Sequence, residues 1–163
     1  MTWRLARGQA VLSDEERTVV CRAIAHFEGT RYTLRAWVVM DDHAHAILRP
    51  ESGHPLSRIL QSWKSFTAHV MVGEHGRVAP VWQEESYDRL IRDDRELDDT
   101  TAYVLGNPSR RWPGVEWYPW AGLGGRGNLG PAPGQEAGPT GPPRPRRPDP
   151  VCPGAPPRAT AAP

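Results

Sequence analysis

The apolar pattern needed to build a core stops abruptly at Trp120. From Ala121 to Pro163, Pro and Gly supply 21 of 43 residues, no Phe, Tyr or Trp occurs, and no apolar periodicity survives. Such a stretch cannot bury enough apolar surface to offset the entropy of ordering it. The expected organisation is therefore one globular domain over residues 1–120 and a disordered Pro/Gly-rich tail over 121–163.

The same boundary divides the charge. The net +1 of the whole chain is +3 in the tail, where five Arg stand against Glu136 and Asp149, which leaves −2 on residues 1–120. That balance excludes a simple basic DNA-coating protein, so any nucleic-acid contact in the folded part has to be a local patch. Lys64 is the single Lys beside 19 Arg; a GC-rich coding bias accounts for the ratio, and the Arg count by itself carries no function. Cys21, in a helical segment, and Cys152, in the tail, offer neither a disulfide framework nor a metal-ligand spacing. Met1 to Leu12 lacks the continuous apolar stretch of a secretory signal, and no run of about 18 apolar residues exists to cross a membrane. A cytoplasmic location is expected.

Within residues 1–120 the elements follow from spacing. Thr2–Ala6 is a strand candidate. Ser13-Asp14-Glu15-Glu16 is a capping box that opens a helix running to about Phe27, with Val19, Val20, Ile24 and Phe27 at helical intervals and Gly29 ending it. Arg31–Met40, rich in aromatic and β-branched residues, reads as a strand; Asp41-Asp42 turns the chain, and His43–Arg49, stopped by Pro50, closes a hairpin. Leu56, Ile59, Leu60, Trp63, Phe66 and Val70 define an amphipathic helix over Pro55 to about Val72. A last strand is expected around Tyr87–Ile91. The capping box Asp93-Asp94-Arg95-Glu96 then opens a helix reaching about Gly106, with Asn107 pushed out of helical geometry by Pro108. The order predicts an α+β domain with a ferredoxin-like split βαβ plan: an antiparallel sheet, helices on one face, and an additional C-terminal helix.

Two constellations carry chemistry. On a strand, side chains alternate, so His43 and His45 project from one face and Ala44 from the other, which makes a two-toothed ligand for a metal. Two histidines on a solvent-facing strand are the plainer reading of that pair alone. Sixty residues later Tyr103 and Asn107 stand four apart, on one face at the end of the last helix. They supply a nucleophile and a neutral oxygen ligand. A core aromatic and an ordinary helix stop before Pro108 are the plainer readings there.

Taken together, Trp37-Val38-Val39-Met40-Asp41-Asp42-His43-Ala44-His45, Ser62-Trp63-Lys64-Ser65, Val81-Trp82-Gln83 with Tyr87-Asp88, and Tyr103-Val104-Leu105-Gly106-Asn107-Pro108 resemble the REP-associated tyrosine transposases of the single-tyrosine HUH superfamily. The resemblance runs from about Thr2 to Tyr118-Pro119-Trp120. It implies His43, His45 and Asn107 as ligands of Mg2+ or Mn2+ and Tyr103 as the nucleophile that cleaves and rejoins single-stranded DNA at hairpins through a 5′-phosphotyrosine. Lys64 then becomes a phosphate contact. Trp82 and Tyr87 match the block before the last helix and are candidate DNA contacts, Tyr87 being also the rival nucleophile; Arg110 and Arg111 fit a grip on phosphate or a solvated charge run. The partners implied are single-stranded or hairpin DNA and no membrane, with the protein a monomer or homodimer.

The chain departs from that pattern at Asp41, where relatives commonly carry Pro; at Ala44, where they carry a larger aliphatic; and at Ser109-Arg110-Arg111-Trp112, which replaces an aliphatic and glycine continuation. Met1 also falls inside the expected first strand, which points to a start upstream or a shortened copy. Two other classes stay open: a decayed copy that binds nucleic acid without cleaving it, and a metalloprotein that joins the two histidines to Asp42 or Asp88.

Overall fold

The computed structural model describes residues 1–124, and the expectations for the chain beyond that point, Cys152 included, lie outside the described residues. The elements run β1 (Thr2–Leu5), α1 (Asp14–His26), β2 (Tyr32–Val39), β3 (His43–Pro50), α2 (Leu56–Glu74), β4 (Trp82–Tyr87), α3 (Asp94–Leu105), α4 (Asn107–Arg111) and β5 (Ala121–Leu123). All strand pairs are antiparallel and the sheet order is β4-β1-β3-β2-β5. The first four strands have the order of the ferredoxin-like plan, and β5 extends the sheet beside β2.

Helix α1 starts where its capping box says it should. The Ser13 hydroxyl accepts from the Glu16 amide at 3.3 Å while the Glu16 carboxylate accepts from the Ser13 amide at 2.8 Å. Ser13→Ala should therefore lower stability by about 1 kcal/mol in a urea titration, with Ser13→Asp close to wild type. Both α1 and α2 cover one face of the sheet. Trp63 of α2 lies 5.6 Å from Trp3 and 5.2 Å from Tyr32, whose hydroxyl donates to the Ile24 carbonyl of α1 at 2.6 Å.

Helix α3 lies against the opposite face, where Asp98 pairs with Arg35 at 3.4 Å and Tyr103 meets His45. Residues 36–39 of β2 are thus covered from both sides and all are buried, while the register of β2 on β3 shifts between Leu34 and Ala36. Those two features explain why the strand alternates only loosely in the sequence.

Three boundaries differ from the sequence expectation. The last strand of the four is Trp82–Tyr87, not Tyr87–Ile91. Its polar residues Gln83, Glu84 and Glu85 suit an edge strand, and it is fixed at its start by Trp82, whose indole N–H donates to the Thr67 hydroxyl at 2.9 Å. Asn107 opens a second short helix instead of leaving helical geometry, since a proline in the first turn of a helix gives up no hydrogen bond that the helix needs.

The ordered chain also continues past the composition break. Tyr118 and Trp120 cross α1 as a strap: the Tyr118 hydroxyl donates to the Val39 carbonyl at 2.8 Å, the Trp120 indole donates to the Thr18 hydroxyl at 3.0 Å, and the Arg17 guanidinium stands 4.0 Å over the Trp120 ring. That strap delivers Ala121–Leu123 to the edge of β2. At Gly124 a Cβ would come within 1.8 Å of the Leu34 carbonyl oxygen, so only glycine fits there.

Candidate active site

The register of the sheet assembles one row of side chains across all five strands. Tyr87 of β4 pairs with Thr2 of β1, Thr2 with His45 of β3, His45 with Val38 of β2, and Val38 with Ala121 of β5. Directly paired residues share a face, so Tyr87, Thr2 and His45 all point away from α1 and α2, toward α3. Two pairs further along, Arg4 stands opposite His43 on the same face.

The two imidazoles are 4.8 Å apart, centroid to centroid, and nearly perpendicular at 84°. Each has its Nδ1 occupied. The His43 Nδ1–H donates to the Asp42 carboxylate at 2.5 Å, and His45 Nδ1 shares a 2.7 Å hydrogen bond with the Thr2 hydroxyl. Burial works against charge on Asp42, yet the hydrogen bond and charge of His43, together with Arg4 and Arg111, hold its carboxyl below the usual range, so it stays an acceptor. Burial of His45, reinforced by His43, the N-terminal ammonium, Arg4 and Arg110, lowers its pKa to about 4. His45 is therefore neutral near pH 7. With each Nδ1 engaged, Nε2 is the nitrogen each ring has left, the arrangement typical of ligating histidines.

Tyr103 meets this pair within the same chain. Its ring lies 5.9 Å from that of His45 and is about half exposed. Asn107, one turn on, donates from Nδ2 to the Tyr103 and Val104 carbonyls at 2.9 and 3.2 Å, which leaves its Oδ1 as the uncommitted end of the amide. Two imidazole nitrogens and an amide oxygen are donors of the types that divalent cations accept, and Asp42 and Thr2 already fix the two rings. Among the described residues no cluster of three or more His, Cys, Asp or Glu is placed to hold a metal. Asp42 orients His43 and is not a third ligand beside it.

An open groove of about 1740 Å³ runs along this face between the sheet and the segment leading into α3, and His45, Tyr87 and Tyr103 all line it. Six arginines and four acidic residues border it, and Arg4, Arg35, Arg49 and Arg89 are paired with Asp42, Asp98, Glu51 and Glu96, so any grip on phosphate is local to single guanidinium groups. Tyr87 is exposed at 67 % and stands two strands from His45, roughly 10 Å at ordinary strand spacing.

The other expected DNA contacts are each engaged within the protein. Trp82 is 5 % exposed and packed against Trp3 with its indole N–H already bonded, so it presents no face to a base; the expectation of a DNA contact there gives way to a core role. Lys64 projects from α2, on the far face, and donates to the Gln83 and Glu84 carbonyls of β4 at 2.5 and 2.9 Å. Burial lowers its pKa against the opposing pull of Glu84 and Glu85. Arg110 and Arg111 both have partners within the protein: Arg110 stands 4.3 Å over the Tyr103 ring and Arg111 pairs with Asp41 at 3.1 Å. Thr2, Arg4 and Asp42 complete the surroundings of the histidines.

No protein-family model and no curated protein matches the chain. The solved structure of a REP-associated tyrosine transposase bound to a REP hairpin is similar to it, with a TM-score of 0.61 and 22 % sequence identity over 74 % of this chain and 72 % of that one. The likeness is one of fold. No helix among the described residues is long and apolar enough to cross a membrane.

Proposed function

We propose that the chain is a DNA strand-transferase of the single-tyrosine kind, in which Tyr103 cleaves and rejoins single-stranded DNA at hairpins of the repetitive extragenic palindrome type. The observation that carries this reading is the 5.9 Å contact of Tyr103 with His45 inside one chain, on the open, arginine-bordered face of the sheet. The hairpin is suggested by the protein of similar fold, which was solved with one.

In this reading a DNA backbone phosphate enters the groove beside Tyr103. The Tyr103 oxygen attacks phosphorus in line, the P–O3′ bond breaks, and the departing 3′ oxygen takes up a proton while the phenol gives one up. The products are a 5′-phosphotyrosine and a free 3′-hydroxyl, and attack by a 3′-hydroxyl on the phosphotyrosine rejoins the strand. Mg2+ or Mn2+ held by His43, His45 and Asn107 would polarise the phosphate and favour the phenolate. Thr2 and Asp42 fix the imidazole rings. Arginines along the groove, Arg4 and Arg49 among them, neutralise the DNA backbone.

The test is a denaturing gel. End-labelled hairpin DNA with a single-stranded flank, incubated with the protein and Mn2+, should run as a covalent protein adduct that EDTA prevents. Hairpin binding with no adduct under any divalent ion would favour the binding-only reading. The second shell has its own readout: Thr2→Val removes the hydrogen bond on His45 Nδ1, and Mn2+ affinity by calorimetry should fall about tenfold to a hundredfold.

A further inference from the structure

We infer that Arg110 and Arg111 act as a two-point latch that seats the nucleophile, with Arg110 as a positioning residue for Tyr103 rather than a contact to DNA phosphate. This rests on the reading of Tyr103 as the nucleophile.

The first point of the latch is on Tyr103 itself. The Arg110 guanidinium lies over the ring at 4.3 Å, and its Nη2 donates to the Tyr103 backbone carbonyl. Asn107 Nδ2 donates to the same carbonyl. This closure depends on the break between α3 and α4, because Arg110 has to fold back across Gly106. A Cβ at Gly106 would lie 3.0 Å from the Ala102 carbonyl oxygen and 3.5 Å from Arg110 Nη2. The tight approach there is to the Ala102 carbonyl, and the guanidinium packs over Gly106 at ordinary van der Waals distance. A half-exposed tyrosine at the end of a helix has more than one open rotamer. A cation over one ring face, tied to the backbone of the same residue, selects among them.

The second point ties α4 to the hairpin that carries the histidines. Arg111 Nη2 pairs with Asp41 Oδ2 at 3.1 Å, and the Asp41 side chain is 13 % exposed. Asp41 is followed by Asp42, which holds His43, so the ion pair links α4, directly after the helix that carries Tyr103, to the turn from which His43 and His45 issue. Asp41 and Arg111 are two of the positions at which the sequence departs from the pattern it resembles, and they are each other's partners.

The latch predicts a defect in orientation and not in binding. With Arg110→Ala, the rate of adduct formation at saturating hairpin DNA should fall by about tenfold to a hundredfold, with half-saturating DNA concentration and salt dependence unchanged. Arg110→Lys, which keeps the charge but not the planar stack, should recover only part of the rate. A raised half-saturation concentration with a salt slope smaller by about one would identify Arg110 as a phosphate contact and overturn the proposal.

Arg111→Asp should show the same rate defect, and Asp41→Arg in combination with it should restore most of the loss; no rescue by the swapped pair overturns the second point. A DNA-free readout separates this proposal from the function on which it rests. In NMR spectra of the free protein, Tyr103→Ala defines the shift that the Tyr103 ring imposes on the His45 imidazole, and Arg110→Ala should remove at least half of it. An unchanged His45 signal overturns the latch even if adducts form. The loss of that shift supports it even if no hairpin is ever cleaved.

Discussion

Tyr103→Phe should retain hairpin binding and lose the covalent adduct, a fall of roughly a thousandfold or more in strand transfer, because it deletes the attacking oxygen and almost nothing else. The ring contact with His45 and the stack under Arg110 both survive in phenylalanine. Tyr87→Phe should leave the adduct intact. Tyr87 shares the groove and the face, but its strand lies two places from the histidines, roughly 10 Å away, whereas the Tyr103 ring touches His45. If the exposed Tyr87 ring stacks on a base, Tyr87→Ala should weaken hairpin binding by about 1–3 kcal/mol while the adduct chemistry per bound DNA persists. The third phenol close by, Tyr118, is no candidate: burial pushes its pKa up to about 12 and its hydroxyl is spent on the Val39 carbonyl. An adduct of undiminished yield in Tyr103→Phe would reject Tyr103 and reopen the case for Tyr87.

The pairing of those two tyrosines shows where a sequence stops being informative. That His43 and His45 share a face follows from strand alternation, and the capping box at Ser13 and the cap at Asp93, where Glu96 reaches back to the Arg92 amide instead, place the starts of α1 and α3 to the residue. These are local rules. Which residue stands beside His45 is a matter of long-range register: Thr2 is 43 positions away, and only the β1–β3 pairing brings its hydroxyl to Nδ1. The order of a split βαβ sheet implies that pairing in outline, but a slip of one residue would have turned Thr2 to the other face.

The same limit explains β4 and the two arginines. Tyr87–Ile91 has the better strand composition, but Trp82 anchored on Thr67 and Lys64 bonded to the Gln83 and Glu84 carbonyls make the earlier segment the strand. Tertiary contacts outweigh intrinsic strand preference at a sheet edge. Likewise, Arg110-Arg111 is an unremarkable basic pair in one dimension. Only folding shows one guanidinium over Tyr103 and the other on Asp41. Composition also drew the end of the domain at Trp120, whereas β5 uses Ala121–Leu123 through backbone pairing, which small residues can supply as well as any.

The largest loss of stability from a single side chain should come from Arg77→Ala, about 3–5 kcal/mol, because it leaves Glu16 buried without its partner. The two side chains are 8 and 5 % exposed, and the guanidinium grips both oxygens of the carboxylate, Oε2 at 2.6 Å, while also donating to the Ala10 and Val11 carbonyls at 2.8 and 2.9 Å. It thereby fastens the loop before α1 to the loop after α2. In thermal melts the loss corresponds to about 10–20 °C for a domain of this size. Glu16→Gln with Arg77→Met should recover much of it, because Gln still serves the capping box and no charge is left unpaired.

The pH dependence gives a second check with a definite sign. Burial opposes ionisation of Glu16, but the hydrogen bonds from Arg77 and the Ser13 amide, with the charge of Arg77, outweigh it and hold the carboxyl below its ordinary 4.5. A depressed folded-state value means that the group's stabilisation is present above pH 4.5 and is lost as pH falls through that lower value. In Arg77→Ala the burial, the largest single influence, is left opposed by the Ser13 cap and the charge of His75 alone. Burial then raises the carboxyl, and its protonation on acidification relieves the variant instead of harming it. The stability difference between wild type and Arg77→Ala, measured by urea titration at several pH values, should therefore be widest near pH 7 and narrow below pH 4.5. A constant difference across that range would mean that Arg77 acts through its carbonyl contacts alone and that Glu16 is not held by charge.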